Sequence, residues 1–210
     1  MALAGERGAD ALTMKAVAER LGPYTAMALY RHVRGKDELV DLMLDAAIAT
    51  VPVPPEPGPD WRADLTTIAR RTRQMIKDHP WYAWLVHIRP PTGPSTMRRT
   101  EFLLRVLVGR GAPVSEAMTF AALIDRHIVG SALQETQAAR FHAAHVSVHD
   151  LAAARGDVPL LTAGLARPGP GTAGLARPGP GDADEEFELC LSVLLDGIAH
   201  ERWESCRACL

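Results

Sequence analysis

Several features are scarce in this 210-residue chain, and each scarcity excludes a class of protein. Three cysteines, an odd number, do not form a disulfide framework, which excludes a disulfide-rich secreted scaffold. The chain contains no run of about 18 apolar residues, so the sequence predicts no membrane-spanning helix. The first residues also lack the basic-then-apolar pattern of a secretory signal. We therefore expect a cytoplasmic protein with no membrane partner.

A general excess of positive charge is also absent, since the formal net charge is -2. This excludes a protein that coats nucleic acid without regard to sequence. Positive side chains are instead concentrated at Arg31, Arg34 and Lys36, whereas the segment 182–210 is strongly acidic. A local basic patch on a near-neutral chain indicates a protein that reads a DNA sequence.

The alternation of apolar and polar residues that marks a strand does not occur, and apolar residues recur instead at helical spacing. The sequence therefore predicts an all-α fold, and 210 residues can bury a sizeable core. Beyond residue 60, a short aromatic segment occupies 81–88. Around this segment, we predict four helices after residue 60: 61–78 with Asp60 as N-cap, Ser95 (as N-cap) to about Val108, Ser115 to about His142, and Asp184 to about Trp203.

Two segments rich in proline or glycine divide the chain. Residues 51–60, VPVPPEPGPD, contain too much proline to be helical, and we place a boundary there between domains at 1–50 and 61–210. The sequence TAGLARPGPG occurs twice in tandem, at 162–171 and 172–181. Its composition predicts a flexible loop over about 156–182.

Residues 13–45 show the pattern of two short helices joined by a tight turn, followed by a longer helix. Thr13 can cap the first helix, and Gly22, which is followed by proline, ends it. Thr25 can cap a second helix over 26–33. This is the helix-turn-helix pattern, whose second helix enters the DNA major groove.

The same residues resemble those of a known family. The run LTMKAVAERLG, the core LYRHV and the following Gly-Lys-Asp-Glu-Leu are similar to the DNA-binding head of the tetracycline-repressor (TetR) family of bacterial regulators. The resemblance covers about the first fifth of the chain. It implies a helix-turn-helix head followed by a helical ligand-binding and dimerisation domain. It also implies a homodimer that binds a near-palindromic operator of double-stranded DNA.

The resemblance further implies which residues contact DNA. The positions that match those reading base edges are Lys15, Thr25, Ala26, Met27 and Ala28. Ala26, Met27 and Ala28 are small or apolar, so we expect them to pack against thymine methyl groups. The positions that match those touching phosphates are Thr13, Tyr24, Tyr30, His32 and Lys36. Arg31 is expected to add salt-dependent affinity at the basic end of the recognition helix.

The head departs from the family pattern in front of Thr13. The family carries a first helix of several turns there, and the residues ALAGERG resemble only its last turns. We therefore expect a truncated first helix, which means either that the true start lies upstream of Met1 or that the head has thinner support.

The region after residue 60 contains candidates for a ligand cavity. Apolar and aromatic residues with a few polar groups are typical of small-molecule sites. The candidates are Met75, Trp81, Trp84, His87, Met97, Phe102, Phe120 and His127. Asp125, Arg126 and His127 lie within an apolar helix, where they must pair, face a partner subunit or line a pocket. The sequence leaves these three alternatives open.

Two further groups of residues support a competing hypothesis. His142, His145 and His149 share one helical face that can hold zinc or nickel, and Cys206 and Cys209 form a C-x-x-C pair. Either group would suit a small helical thiol or metal-dependent protein. An exposed polar stripe and a stray cysteine pair explain the same residues without a function.

The leading hypothesis is a DNA-binding transcriptional regulator that is not an enzyme and has no cofactor. We expect a repressor that a small apolar or aromatic effector releases from its operator. The long helix after Ser115 and the acidic final helix are the candidates for the dimer interface, as the resemblance implies. The thiol or metal protein remains the alternative, together with a dimer that binds a ligand but has lost DNA binding.

Overall fold

The computed structural model describes residues 1–8, 11–141, 148–166 and 182–200. Within these ranges the structure contains helices and no strand, which confirms the all-α prediction. The helices are α1 (Ala2–Arg7), α2 (Met14–Leu21), α3 (Ala26–Leu29), α4 (Lys36–Ile48), α5 (Trp61–Asp78), α6 (Trp81–Ile88), α7 (Pro94–Gly109), α8 (Val114–Phe141), α9 (Val148–Arg155), α10 (Pro159–Leu165) and α11 (Asp182–His200). Among the described residues, no helix is both long and apolar enough to cross a membrane.

The chain forms two compact units. The first contains Met1–Ala121, and the second begins at Ala122. The first unit continues past the proline-rich segment 51–60 because α4 packs against α5, α6 and α7. The domain boundary that we place at 51–60 stays a prediction.

The core of the first unit is built from apolar residues of several helices. In the N-terminal part, Leu3 and Ala4 of α1 are buried, as are Leu12 and Met14. Further along, the buried residues of α4, α5 and α7 supply most of the core: Val40, Met43, Leu44, Ala47, Ile48, Leu65, Ile68, Ala69, Met75, Ile76, Phe102, Leu103, Val106 and Leu107. Burial of apolar surface on this scale is the main force that fixes α4 on the other helices.

Helix caps explain where two of these helices begin. Asp60 caps α5 as predicted, since its Oδ1 accepts hydrogen bonds from the N–H groups of Arg62 at 2.9 Å and Ala63 at 3.1 Å. The prediction that Ser95 caps the next helix is wrong. Ser95 lies inside the first turn of α7, which begins at Pro94, and a carboxylate from α4 caps that helix instead.

The second helix of the helix-turn-helix is shorter than the sequence predicts. It ends at Leu29 rather than at Val33, and the chain continues through a turn. The N–H of Arg31 bonds to the carbonyl of Ala28, and the N–H of His32 bonds to the carbonyl of Leu29 at 2.8 Å. These two bonds span three residues instead of four, so they tighten the chain after Leu29 into a turn.

The second unit contains the later part of α8 together with α9, α10 and α11. Its buried apolar residues include Ile124, Ile128 and Ala132 of α8 and Phe187, Leu191, Leu195 and Ile198 of α11. The predicted loop over about 156–182 differs from the structure at its beginning, because Pro159–Leu165 form α10. Proline at the first position suits a helix start, since no N–H is needed there. The rest of the duplicated segment, 167–181, and Trp203 lie outside the described residues.

Candidate nucleic-acid interface

The helix-turn-helix is held together by a small core and by two capped helix starts. Thr13 caps α2, with its Oγ1 accepting a hydrogen bond from the N–H of Ala16 at 3.1 Å. Leu12, Met14 and Ala18 are buried. Gly22 has a φ of 120°, which a residue with a Cβ rarely adopts, and this glycine lets the chain turn from α2 into α3. These features confirm that residues 13–22 form a helix followed by a tight turn.

Thr25 fixes the start of α3, the candidate recognition helix. Its Oγ1 accepts a hydrogen bond from the N–H of Ala28 at 3.3 Å. The hydroxyl hydrogen of Thr25 is not used by this bond, so it can donate to an acceptor on a base edge.

Every residue that the sequence predicts to contact DNA lies at least partly at the surface. Ala26 and Ala28 are half-buried, and the exposed residues are Thr13, Lys15, Tyr24, Thr25, Met27, Tyr30, Arg31, His32 and Lys36. Met27 is 75% exposed, which is unusual for an apolar side chain. We call Tyr24–Tyr30 the reading face. Its apolar tip suits contact with the methyl groups of base edges.

The positive charges beside the reading face are not neutralised by the described part of the chain. In the described ranges, no carboxylate lies within 4 Å of the charged side-chain groups of Arg31, Arg34 and Lys36. The nearby acids are engaged elsewhere: Glu38 accepts a hydrogen bond from the backbone N–H of Arg34, and Asp37 pairs with Arg89. Positive side chains without protein partners can therefore bind phosphate groups.

Helix α4 connects the helix-turn-helix to the rest of the first unit through an ion-pair network. Arg89, which follows α6, forms a bidentate pair with Asp41 and lies 3.4 Å from Asp37 through its Nη1. The hydrogen bond from Arg89 lowers the pKa of Asp41, and the charge of Arg89 acts in the same direction. Both acids belong to α4, so one arginine fixes the direction of this helix at two successive turns.

A second contact fixes α4 one turn further along. Oδ1 of Asp45 accepts hydrogen bonds from the N–H groups of Ser95 at 2.8 Å and Thr96 at 3.1 Å, so it caps α7. Gly93 allows this approach, because a Cβ at that position would lie 2.2 Å from Cγ of Asp45. Sequence reasoning missed Asp41, Asp45, Arg89 and Gly93. The available signal was a set of acids on the polar face of α4, but their partners are distant in sequence.

The predicted ligand-binding residues differ in their burial, and one of them lines a described cavity. Met75, Trp81 and Phe102 are buried, Phe120 and His127 are half-buried, and Trp84, His87 and Met97 are exposed. Phe102 lines a cavity of about 360 Å³, which we call the linker pocket and which lies between the end of α4, residues 51–55 and α7. The other seven do not line it. Their role in ligand binding stays a prediction.

His127 has partners within the second unit. Its ring stacks on Phe187 at a centroid distance of 4.8 Å, and its Nε2 lies 3.1 Å from the carbonyl oxygen of Phe187. Nδ1 lies 3.4 Å from the hydroxyl of Ser131. These contacts join α8 to α11 and account for a polar residue in an apolar helix.

The residues of the competing hypothesis fall largely outside the described ranges. This applies to His142, His145, Cys206 and Cys209 and to the side chain of His149. Within the residues that the structure does describe, no group of three or more His, Cys, Asp or Glu side chains is placed to hold a metal ion.

Comparison with known families covers most of the chain. The sequence profile described as bacterial regulatory proteins of the tetR family matches residues 1–43. The profile described as the tetracyclin repressor-like C-terminal domain matches residues 54–202. Together they include the helix-turn-helix, α4 up to Met43 and the helices from α5 onward.

Curated relatives carry regulatory descriptions. An HTH-type transcriptional regulator of Saccharopolyspora erythraea is 36% identical over 61% of this chain and 54% of its own length. The HTH-type transcriptional repressor DrrR1 of Streptomyces coeruleorubidus is 36% identical over 78% of this chain and 60% of its own length. The chain thus spans little more than half the length of these two relatives.

Solved structures share the fold along nearly the whole chain. The TetR family protein ActR of Streptomyces coelicolor, in complex with actinorhodin, is 26% identical and has a TM-score of 0.73, with 94% of this chain and 91% of ActR covered. A possible TetR family transcriptional regulator from the same organism is 26% identical with a TM-score of 0.77, with 96% and 95% covered.

Proposed function

The chain belongs to the tetracycline-repressor family of DNA-binding transcriptional regulators, and on that premise we propose that it is a ligand-responsive repressor. The observation that carries the proposal is the reading face beside Arg31, Arg34 and Lys36. It combines an exposed apolar tip with positive charges that no carboxylate in the described chain neutralises. Phosphate contacts then position the head, and Ala26, Met27 and Ala28 read base edges. The relative DrrR1 is a repressor, which supports the direction of regulation.

A homodimer is the second part of the proposal. Helix α11 buries Phe187, Leu191 and Leu195 on one side, yet it also exposes Leu189 and Val193. These two exposed residues are one helical turn apart, so they form an apolar stripe that a second copy of the chain would cover. Two heads in one dimer would contact successive major grooves of a near-palindromic operator.

The effector is the third part. ActR is known in complex with actinorhodin and with (S)-DNPA, which supports a small-molecule effector for this chain as well. An effector that binds one state of the dimer more tightly changes operator affinity by that difference in binding free energy. Helix α4 is the element through which such a change would reach the head, because Arg89 and Asp45 couple it to α6 and α7.

The test begins with an operator obtained by in vitro selection from random DNA duplexes. Tyr30→Ala and Lys36→Ala are expected to weaken binding of the selected duplex about tenfold, because each removes a contact to phosphate. For Lys36→Ala, the slope of log K against log salt should also fall by about one per protomer. Gel-shift titrations at several salt concentrations measure both quantities.

Lys77→Ala is the matched control, since it removes an exposed lysine on α5, which is not part of the helix-turn-helix. It should bind the duplex like the parent protein. If selection enriches no sequence, or if both head variants bind with unchanged affinity, the proposed function is refuted.

A further inference from the structure

The linker pocket has an apolar floor. Ile48 at the end of α4, Val51 and Phe102 of α7 line the pocket and are at most 5% exposed. One wall is the proline-rich segment 52–55. At about 360 Å³, the cavity reaches the lower end of the range for small-molecule sites, roughly 300–1,000 Å³.

The wall is held in place by contacts on both sides. Arg71 of α5 donates a hydrogen bond from Nη1 to the carbonyl oxygen of Pro52 at 3.1 Å. Arg105 of α7 pairs with Glu56 at 3.2 Å and with Glu101 at 3.1 Å. Prolines also restrict the backbone of the segment. A pocket with fixed walls loses little conformational freedom when a ligand binds.

The polar side of the pocket contains one arginine without an acidic partner. Arg105 is engaged by two glutamates, and its pKa is raised by the hydrogen bond that it donates to Glu101 and by the charge of Glu56. Arg98 also lines the pocket and donates from Nη2 to the hydroxyl of Ser95 at 3.1 Å. No carboxylate lies within 4 Å of Arg98 in the described ranges. Its guanidinium keeps donors for a further group.

We propose that the linker pocket is a binding site for a small organic carboxylate whose apolar body packs on Phe102. Arginine matches a carboxylate with two parallel hydrogen bonds, so Arg98 is the residue that would bind the acid group. The N-terminus of α7 is not available for that role, because the carboxylate of Asp45 already occupies it. The apolar floor supplies the surface that an aryl or short alkyl group would cover.

The location gives the site a second significance. Ile48 is the last residue of α4 and Ala49 is its C-cap, so a molecule in the pocket contacts the helix that leads to the reading face. An effect of the bound carboxylate on operator affinity would rest on the proposed function. Binding of the carboxylate to the pocket does not depend on that function, and it is measured without DNA.

The experiment uses calorimetric titration of the purified 210-residue chain with sodium 1-naphthoate. 1-Naphthalenemethanol is the uncharged comparison, since it keeps the ring system and lacks the carboxylate. We expect saturable binding of naphthoate, and binding of the alcohol that is about tenfold weaker. Arg98→Gln should weaken the binding of naphthoate about tenfold and leave the binding of the alcohol unchanged. Arg98→Lys should recover part of the loss because it keeps the charge without the bidentate geometry.

Two further variants locate the site and keep the test independent of folding. Ala49 is exposed and lines the pocket, so the larger side chain of Ala49→Leu should fill the pocket. This variant should weaken the binding of both compounds and leave the melting temperature unchanged. Arg155→Gln removes an arginine outside the pocket and should bind like the parent. Absence of naphthoate binding up to about 1 mM overturns the proposal. Binding that neither Arg98→Gln nor Ala49→Leu alters overturns it equally, because the site would then lie elsewhere.

Discussion

Asp45 caps a helix that lies 50 residues away in sequence, and this contact depends on one glycine. Gly93 has a φ of -75°, which any residue can adopt, so the backbone itself does not require glycine there. Glycine is required there because no space is left for a side chain. The side chain of Asp45 occupies the place where a Cβ of residue 93 would lie.

Gly93→Ala is therefore expected to destabilise the protein by about 1–3 kcal/mol, because either Asp45 or the start of α7 must shift. Replacing Asp45 with alanine should not relieve the clash, since Cβ of Asp45 itself lies 2.4 Å from the new Cβ. Urea denaturation of the single and double variants measures these differences in the free energy of unfolding.

Gly109→Ala serves as the control within the same helix. A Cβ at Gly109 would meet no atom within 4 Å, so this variant should be neutral or slightly more stable. Equal stability of Gly93→Ala and the parent protein would show that Asp45 does not hold the position described.

At the scale of elements, α4 is the helix whose direction matters most, because it begins beside the reading face and ends at the linker pocket. Its buried face fixes how close it lies to α5, α6 and α7. Its polar face fixes the rotation of α4 about its own axis, because Asp37 and Asp41 pair with Arg89 and Asp45 caps α7. Apolar packing alone is non-directional and would not specify that rotation as sharply.

The pair between Arg89 and Asp41 predicts a pH dependence. The pKa of Asp41 is lowered in the folded protein, so the pair stabilises the fold above the unfolded value near 3.8. This contribution is lost as pH falls through the lowered pKa. The pKa of Arg89 is raised by the same hydrogen bond, so its charge is retained throughout the acidic range. Arg89→Gln should thus be less stable than the parent at pH 7, and the difference should shrink below about pH 4.

Denaturation curves between pH 3 and pH 7, a range chosen to include the ordinary carboxyl pKa of about 4, measure this difference. Arg89→Lys is the matched variant, since it keeps the charge but loses the bidentate geometry. Its stability at pH 7 should lie between those of the parent protein and Arg89→Gln. A stability difference that grows as the pH is lowered would contradict the assignment of Asp41 as the partner of Arg89.

At the scale of the whole molecule, the proposed dimer makes the clearest prediction. Val193 is 61% exposed on α11, and a charge placed there would be buried in the interface. Val193→Asp is expected to raise the dimer dissociation constant at least about tenfold, because an unpaired charge is costly in an apolar contact. Sedimentation velocity over a range of protein concentrations measures the constant.

Leu160→Asp provides the comparison, since Leu160 on α10 is 88% exposed and lies outside the stripe of α11. It makes the same apolar-to-acid change and should leave the association unchanged. A Val193→Asp protein that remains as dimeric as the parent would refute the interface, without bearing on DNA binding by the head.

The local elements of this protein are determined largely by nearby residues. Thr13, Thr25 and Asp60 cap helices as predicted, and Gly22 turns the chain where its φ requires glycine. Helical spacing of apolar residues predicts the all-α fold and most helix bounds, because capping and amphipathicity act within a few residues. The family also follows from a short run, LYRHV and its surroundings, which the profile matches confirm.

Only the tertiary structure decides how those helices are joined. It gives α7 a cap from Asp45 in place of Ser95, and it ends α3 at Leu29. It pairs Arg89 with Asp41 across 48 residues, and it brings Arg98 beside the prolines of 51–55 to form the linker pocket. These contacts depend on residues far apart in the chain, so no local pattern encodes them. The DNA-reading head is therefore visible in the sequence, whereas its coupling to the rest of the first unit becomes visible only once the chain is folded.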